Sequence, residues 1–190
     1  MAGSRSDEGR RHYGAPDGGA KRVVMSGYPG SGKSTLAAAL AEHLGFCLIS
    51  KDTMLMTLYD AYRFEAGDAA ASLRTGAAAW AVFWMQAAAS PRAVLDSNIK
   101  PSDPSEMAAL RSLDGHLVEV RCECPPELAR ARFAARAKIG HPAQRHTELD
   151  DQRLALYARP IGLGKLITVD TSAPVDVDEV SEQVRLILGA

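Results

Sequence analysis

The sequence predicts an α/β protein in three layers, a five-stranded parallel sheet with helices on both faces and a helical lid. Short apolar runs alternate with longer segments of helical spacing, and this alternation is typical of parallel sheets built from β-α-β units. A glycine-rich loop joins the first apolar run to the first helical segment. A cationic helical stretch in the last third of the chain is interrupted by glycine and proline, which predicts the lid.

Local signals define the elements in turn. Gly45 ends the first helix, because glycine readily takes the left-handed conformation that follows a helix. Ser90 and Pro91 end the alanine-rich third helix, and Pro104 and Pro126 lie in the first turns of the fourth and fifth helices. The predicted strands cover 22–26, 46–50, 93–96, 117–122 and 166–169, and the predicted helices cover 33–44, 50–59, 69–89, 103–113, 125–137, 147–157 and 177–187.

Composition narrows the class of protein. The chain has 190 residues, and we expect a disordered tail over 1–20 and one domain over 21–190, with the lid at about 130–157. The formal net charge of −1 argues against a surface built mainly for nucleic acid. No apolar run reaches membrane-spanning length, and the three cysteines have no usual zinc spacing. A cytoplasmic protein is therefore expected, and the oligomeric state stays open.

The loop from Gly27 to Ser34 reads Gly-Tyr-Pro-Gly-Ser-Gly-Lys-Ser and matches the phosphate-binding P-loop motif. Its glycines let backbone N–H groups approach phosphate oxygens, and the helix that follows directs its positive end at the same anion. Lys33 is expected to reach the β- and γ-phosphates, and the Ser34 hydroxyl to bind Mg²⁺. The motif, between a strand and a helix, predicts binding of ATP and Mg²⁺.

Two acids follow predicted strands at the edge of the sheet where ligands bind. Asp52, after the second strand, is placed to orient an acceptor hydroxyl and take its proton; the alternative is that it only caps the next helix. Asp96 ends the third strand and is predicted to hold Mg²⁺ or to accept a hydrogen bond from Ser34, unless it is an ordinary turn residue. Ser97 and Asn98 follow it as weaker candidates for contacts with substrate or phosphate.

Cations gather in the predicted lid, where they could neutralise charge on a transferred phosphoryl group. Arg132 and Arg136 are one helical turn apart and share a face. Arg136 is the first candidate because it is nearest the break at Gly140. A solvated helix face is the alternative. The cations of this stretch are Arg130, Arg132, Arg136, Lys138, Arg145 and His146.

Three aromatic residues, Trp80, Phe83 and Trp84, occupy neighbouring turns of the third predicted helix. Such a group forms part of the core more often than it lines a pocket. A wall of the acceptor pocket is the other interpretation.

Together these motifs resemble the small P-loop kinases grouped around the kinase domain of polynucleotide kinase, chloramphenicol phosphotransferase and the zeta toxins. The similarity runs from about Lys21 to the C-terminus. It rests on 27–35, 49–52, 94–98, 124–136 and 169–172.

The resemblance implies roles for individual residues. Lys33, Asp52 and Arg136 would be catalytic, with Asp52 activating the acceptor hydroxyl, and Ser34 would bind Mg²⁺, next to the Asp96 carboxylate that its strand position assigns to the metal. The region of Thr171 would border the adenine. The nucleotide-binding set would be Gly27, Gly30, Ser31, Gly32, Lys33, Ser34, Thr35, Arg132, Arg136 and Thr171.

One departure concerns the acceptor. Polynucleotide kinases tend to carry an arginine three residues after the catalytic acid, where this chain has Leu55, so a nucleic-acid acceptor is unlikely by this comparison. The Gly-Gly-Arg-Gly element expected of a shikimate kinase is missing too. The leading hypothesis is an ATP-dependent kinase that phosphorylates a small-molecule hydroxyl on an antibiotic, nucleoside or sugar, as in resistance-type phosphotransferases. The alternatives are a polynucleotide 5′-hydroxyl kinase and a nucleotide-hydrolysing switch protein.

Overall fold

The computed structural model describes residues 19–62, 69–143 and 148–189. Its strands are β1 (Lys21–Gly27), β2 (Cys47–Ser50), β3 (Arg92–Asp96), β4 (His116–Glu123) and β5 (Lys165–Asp170). Its helices are α1 (Lys33–Leu44), α2 (Lys51–Tyr62), α3 (Ala69–Ala89), α4 (Pro104–Arg111), α5 (Pro126–Ile139), α6 (Asp151–Ala155) and α7 (Val177–Leu188).

The five strands form one parallel sheet in the order β2-β3-β1-β4-β5. Alternate residues of β1 face opposite sides, as a strand requires. Val23 and Met25 pack in a core with α1 and α7, whereas Val24 packs in a second core with α3 and α4. The predicted α/β sandwich is therefore confirmed, with helices on both faces of the sheet.

Most predicted elements are present, with small shifts at their ends. Gly45 ends α1 with a left-handed φ of 65°, as predicted. Pro104 follows the N-cap Asp103, whose carboxylate accepts hydrogen bonds from Ser105 N and Glu106 N. The largest difference is α6, which was predicted over 147–157 and extends only from Asp151 to Ala155.

The boundary of α6 has a local cause. The Asp150 side chain accepts a hydrogen bond from Arg153 N, so Asp150 is the N-cap and the helix begins after it. Residues 144–147, with the predicted lid cations Arg145 and His146, lie outside the described residues, as does most of the predicted N-terminal tail, 1–18. No described helix combines the length and apolar character needed to cross a lipid bilayer.

Two buried charged side chains connect distant segments. Arg22, on β1, donates to three carbonyl oxygens at the end of α3, those of Ala87, Ala88 and Ser90. Glu119, on β4, is 1% exposed and accepts hydrogen bonds from Ser26 Oγ at 2.5 Å and from Ile161 N and Gly162 N at 2.8 and 3.0 Å. These contacts fix the end of α3 and the loop after Tyr157, both of which border the site.

Candidate active site

The P-loop joins β1, the central strand, to α1, so it lies at the carboxyl edge of the sheet. Two of its glycines are required by close packing. A Cβ on Gly27, at φ +119°, would lie 2.2 Å from Cys122 O, and one on Gly30, at φ +84°, would lie 2.3 Å from Ala129 O. Both values are far below a normal contact, so any other residue would displace the loop.

Lys33 is buried beneath this loop, with 5% of its surface exposed. Its Nζ donates to Gly27 O at 3.0 Å and to Tyr28 O at 2.6 Å, and it forms no ion pair with the part of the chain that the structure describes. Burial lowers the pKa of Lys33 to about 8, because the charged amine loses its hydration. A polyanion bound here would restore the missing counter-charge.

Asp96, at the end of β3, accepts hydrogen bonds from two hydroxyl groups. Ser34 Oγ donates to its Oδ1 at 3.2 Å and Ser50 Oγ to its Oδ2 at 3.2 Å. Asp96 is 5% exposed, and burial raises the pKa of this carboxyl above its usual value. Sequence reasoning foresaw the Ser34 contact and missed Ser50. The only signal for Ser50 was its position at the start of a helix.

Ser50 also bears on the role of Asp52. Ser50 Oγ lies 3.5 Å from Thr53 N, so Ser50 provides the side-chain contact at the start of α2. Asp52 lies in the first turn of that helix, its side chain is 31% exposed, and its Oδ1 lies 3.6 Å from Lys51 Nζ. Ser50 therefore makes the helix-capping contact that was the alternative role for Asp52. The Asp52 carboxylate lies at the cavities described next.

A cavity of about 510 Å³ lies above the P-loop, a size suited to a nucleotide. Thr171 closes one side, where its carbonyl accepts a hydrogen bond from Arg132 Nη1 at 2.9 Å. Residues 173–175 add an apolar wall beside it. Gly27 and Ser31 do not line this cavity. Ser31 is fully buried within the P-loop. The predicted site residues that line this cavity are Gly30, Gly32, Lys33, Ser34, Thr35, Asp52, Asp96, Arg132, Arg136 and Thr171.

A second cavity, of about 320 Å³, adjoins the first. Four residues line both: Asp52, Ser97, Asn98 and Arg136. Ser97 Oγ and Asn98 Oδ1 are buried and have no hydrogen-bond partner among the described residues. Buried polar groups are nearly always paired in native proteins, so these two atoms are unusual; Ser31 Oγ in the P-loop and Ser181 Oγ on α7 are in the same state.

The cations of the predicted lid make different contacts. Arg132 and Arg136 both line the first cavity, while Arg130 holds α5 to the segment that follows it by donating to Leu149 O at 2.5 Å and pairing with Asp151. His141 Nε2 lies 2.8 Å from Asp60 Oδ1 on α2, so the segment after α5 contacts the opposite side of the second cavity.

The predicted aromatic wall is reduced to one residue. Trp80 lines the second cavity, as does Leu55. Phe83 is fully buried in the core, and Trp84 stacks on Trp80 with ring centroids 5.4 Å apart. Helical spacing placed the three side chains together, but only the packing of α3 on the sheet decides which of them faces the cavity.

Sequence reasoning missed several polar residues of the second cavity. They come from three separate segments, so no motif connects them, and the tertiary fold alone brings them together. Lys100 is held by Glu106, with Nζ 2.9 Å from Oε1. The missed residues are Lys51, Lys100, Arg153 and Tyr157.

Comparisons with known proteins agree with this architecture. A candidate kinase from Chloroflexus aurantiacus is 27% identical, with a TM-score of 0.76 over 92% of this chain and 98% of that one. Shikimate kinase from Acinetobacter baumannii, in complex with shikimate, is 17% identical, with a TM-score of 0.57 over 90% of this chain and 94% of that one. APS kinase from Mycobacterium tuberculosis, in complex with AMPPNP and APS, is 20% identical, with a TM-score of 0.56 over 90% and 99%.

The last two likenesses concern the fold alone, and the narrower resemblance to polynucleotide kinase, chloramphenicol phosphotransferase and the zeta toxins stays a prediction. A search of curated proteins found no match. The family model described as an AAA domain, AAA_33, matches residues 23–160. The chain therefore belongs to the AAA_33 family, and its fold is that of the small P-loop kinases, which indicates a phosphotransferase.

Proposed function

We propose that this protein is an ATP- and Mg²⁺-dependent kinase that transfers the γ-phosphate to a hydroxyl group of a small molecule. The observation that carries the proposal is the pair of adjoining cavities. One contains the P-loop, the other has no P-loop residue in its lining, and Asp52 and Arg136 line both. This arrangement suits a donor nucleotide and an acceptor that meet at their junction.

The residues of the first cavity fit the donor. Lys33 has a buried charge that pairs with no carboxylate of the described residues, and the phosphates of ATP would provide its counter-charge. The oxygens of Ser34 and Asp96 are hard ligands of the kind Mg²⁺ prefers when phosphates complete its coordination. When bound, Mg²⁺ neutralises charge on the phosphates. Arg132 and Thr171 border the nucleotide on the other side.

The residues at the junction fit the transfer step. Asp52 accepts the proton of the acceptor hydroxyl as its oxygen bonds to the γ-phosphorus, while the bond from that phosphorus to the β,γ-bridging oxygen breaks and its electron pair leaves with ADP. Arg136 lies where it would stabilise negative charge on the transferred group. Ser97 and Asn98 line both cavities beside them.

The second cavity favours a small acceptor over a polynucleotide. Its volume of about 320 Å³ is near the lower end for ligand pockets and admits a molecule the size of a sugar or nucleoside. Leu55, where a polynucleotide kinase tends to have an arginine, lines this cavity. An antibiotic acceptor, and hence a resistance role, remains one of the classes to be tested.

The test offers ATP and Mg²⁺ with a panel of antibiotics, nucleosides, sugars and 5′-hydroxyl oligonucleotides, and detects products by mass spectrometry. We expect one or more small molecules to gain a phosphoryl group. Lys33→Ala should abolish the product, whereas Lys165→Ala, which changes an exposed lysine on β5, should not. Efficient labelling of oligonucleotides alone would favour a polynucleotide kinase. ATP hydrolysis without any phosphorylated product would favour a switch protein.

A further inference from the structure

The second cavity has an excess of positive charge. Four cationic side chains line it, against the single carboxylate of Asp52. Two of the four already have carboxylate partners, since Lys51 lies 3.6 Å from Asp52 and Lys100 lies 2.9 Å from Glu106. The other two are Arg136 and Arg153, and neither forms an ion pair with a described residue.

These two arginines converge on one aromatic ring. The guanidinium carbon of Arg136 lies 5.4 Å from the centroid of Phe133, and that of Arg153 lies 5.5 Å from the same centroid. Stacking holds guanidinium groups in place while leaving their N–H donors available. Two positive groups on one ring repel each other unless an anion lies between or beside them. Near this ring lie two guanidinium groups that have no carboxylate partner among the described residues.

The two arginines differ in position. Arg136 lines both cavities, so it belongs to the junction where phosphoryl transfer would take place. Arg153 lines only the second cavity, beyond the junction. Tyr157, one turn further on, is 6% exposed in the same lining, and Lys100 and Arg153 both act on its phenol electrostatically. An anion at Arg153 would thus lie close to a hydroxyl donor and a second cation.

We propose that the acceptor is an acidic small molecule, a hydroxyl compound with a carboxylate or phosphate group, and that Arg153 binds its anion while Asp52 receives its hydroxyl. This proposal rests on the kinase function above and specifies its substrate class. The transfer itself is unchanged: the hydroxyl oxygen of the acid bonds to the γ-phosphorus, its proton passes to Asp52, and ADP leaves with the bridging oxygen. The anion at Arg153 stays unreacted and positions the acceptor. An acid also explains why a cavity next to a triphosphate site is itself cationic, since two negative ligands must approach each other there.

The experiment uses matched acceptors. The carboxylate arm compares D-gluconate with D-glucose and D-glycerate with glycerol, within a wider set of hydroxy acids and their amides. The phosphate arm compares glycerol 3-phosphate with glycerol, within a wider set of sugar phosphates and free sugars. We expect the best acceptor to be acidic, with a kcat/KM at least about 10-fold above that of its neutral counterpart, as befits a charge-assisted contact.

Arg153→Gln separates this proposal from a structural role for the arginine. It should raise KM for the best acidic acceptor by about 10- to 100-fold, with kcat within a few-fold and KM for ATP unchanged, and Arg153→Lys should retain part of the affinity. Arg111→Gln, on the exposed surface of α4, is the matched control and should change nothing. Preference for neutral acceptors, or equal behaviour of the Arg153→Gln and Arg111→Gln variants, would overturn the acidic acceptor and leave the kinase function standing. If no compound, acidic or neutral, gained a phosphoryl group, both proposals would be wrong.

Discussion

The buried amine of Lys33 should make nucleotide affinity depend on pH. Within the described part of the chain its Nζ donates to two carbonyl oxygens, and burial lowers its pKa to about 8. Bound phosphates favour the charged amine, so the nucleotide complex holds a proton that the empty protein begins to lose near pH 8. When the pH rises from 7 to 9, the protonated fraction of Lys33 in the empty protein falls from about ten elevenths to about one eleventh. The Kd for nucleotide should therefore rise about 10-fold over this range.

Isothermal titration with a non-hydrolysable ATP analogue measures this effect, with EDTA present so that metal binding does not contribute. Other groups interfere little between pH 7 and 9. Phosphate groups with a second pKa of about 6 are already ionised, and burial raises the pKa of Cys122 to about 12. Lys33→Met should bind more weakly, with a Kd that changes little with pH. A flat profile for the wild-type protein, or the same slope in the Met variant, would refute the reasoning.

The same amine should lower the stability of the empty protein. A folded pKa of about 8, against 10.5 in the unfolded chain, means that the charged amine costs about 3 kcal/mol in the fold. The cost is fully present below pH 8 and disappears as the pH rises from about 8 to 10.5, because the unfolded chain then binds the extra proton. Lys33→Met should raise the free energy of unfolding by up to this amount at pH 7 and by less at pH 10, as denaturant titration would show.

Three further predictions follow from the site and its supports. Asp52→Asn should leave ATP affinity nearly unchanged and reduce phosphoryl transfer by about 10²- to 10⁴-fold; an equal loss of stability with normal turnover per folded molecule would make Asp52 structural. In hydrogen exchange, residues 138–143 should gain protection when nucleotide binds, and identical exchange with and without nucleotide would count against a lid. Glu119→Gln replaces a buried acceptor of three hydrogen bonds and should lower the free energy of unfolding by about 2–4 kcal/mol, whereas the exposed control Glu42→Gln should change it little.

Local sequence signals predicted the elements well because their causes are local. A left-handed residue at Gly45 and the side-chain cap of Asp103 act within a few residues. The start of α6 was predicted wrongly because apolar spacing extends across Asp150, while the cap that ends the preceding loop depends on one side-chain contact. Periodicity reports which residues share a face, and it does not report where a cap forms.

The two cavities also differ in how far local sequence predicts them. The P-loop is contiguous in sequence, so its position above a central strand could be predicted from a motif and its flanks. The second cavity could not, since Lys51, Lys100 and Arg153 meet only after α2, the loop after β3 and α6 pack together. The aromatic residues indicated an apolar wall, but Phe83 is buried in the core, and of the three only Trp80 lines the second cavity.

The packing of Gly30 against α5 has a consequence for how the site opens. There is room for no Cβ between Gly30 and Ala129 O, so we expect the P-loop and α5 to move together. Arg132 is attached to the same body through Thr171 O, and α5 continues unbroken past Arg136 to Ile139. The lid at about 130–157 stays a prediction, and its hinge is expected at Gly140 or beyond, so that only the later part of that segment would move. On this prediction, nucleotide would enter a site whose arginines are already in place, and only the segment after them would have to close over it.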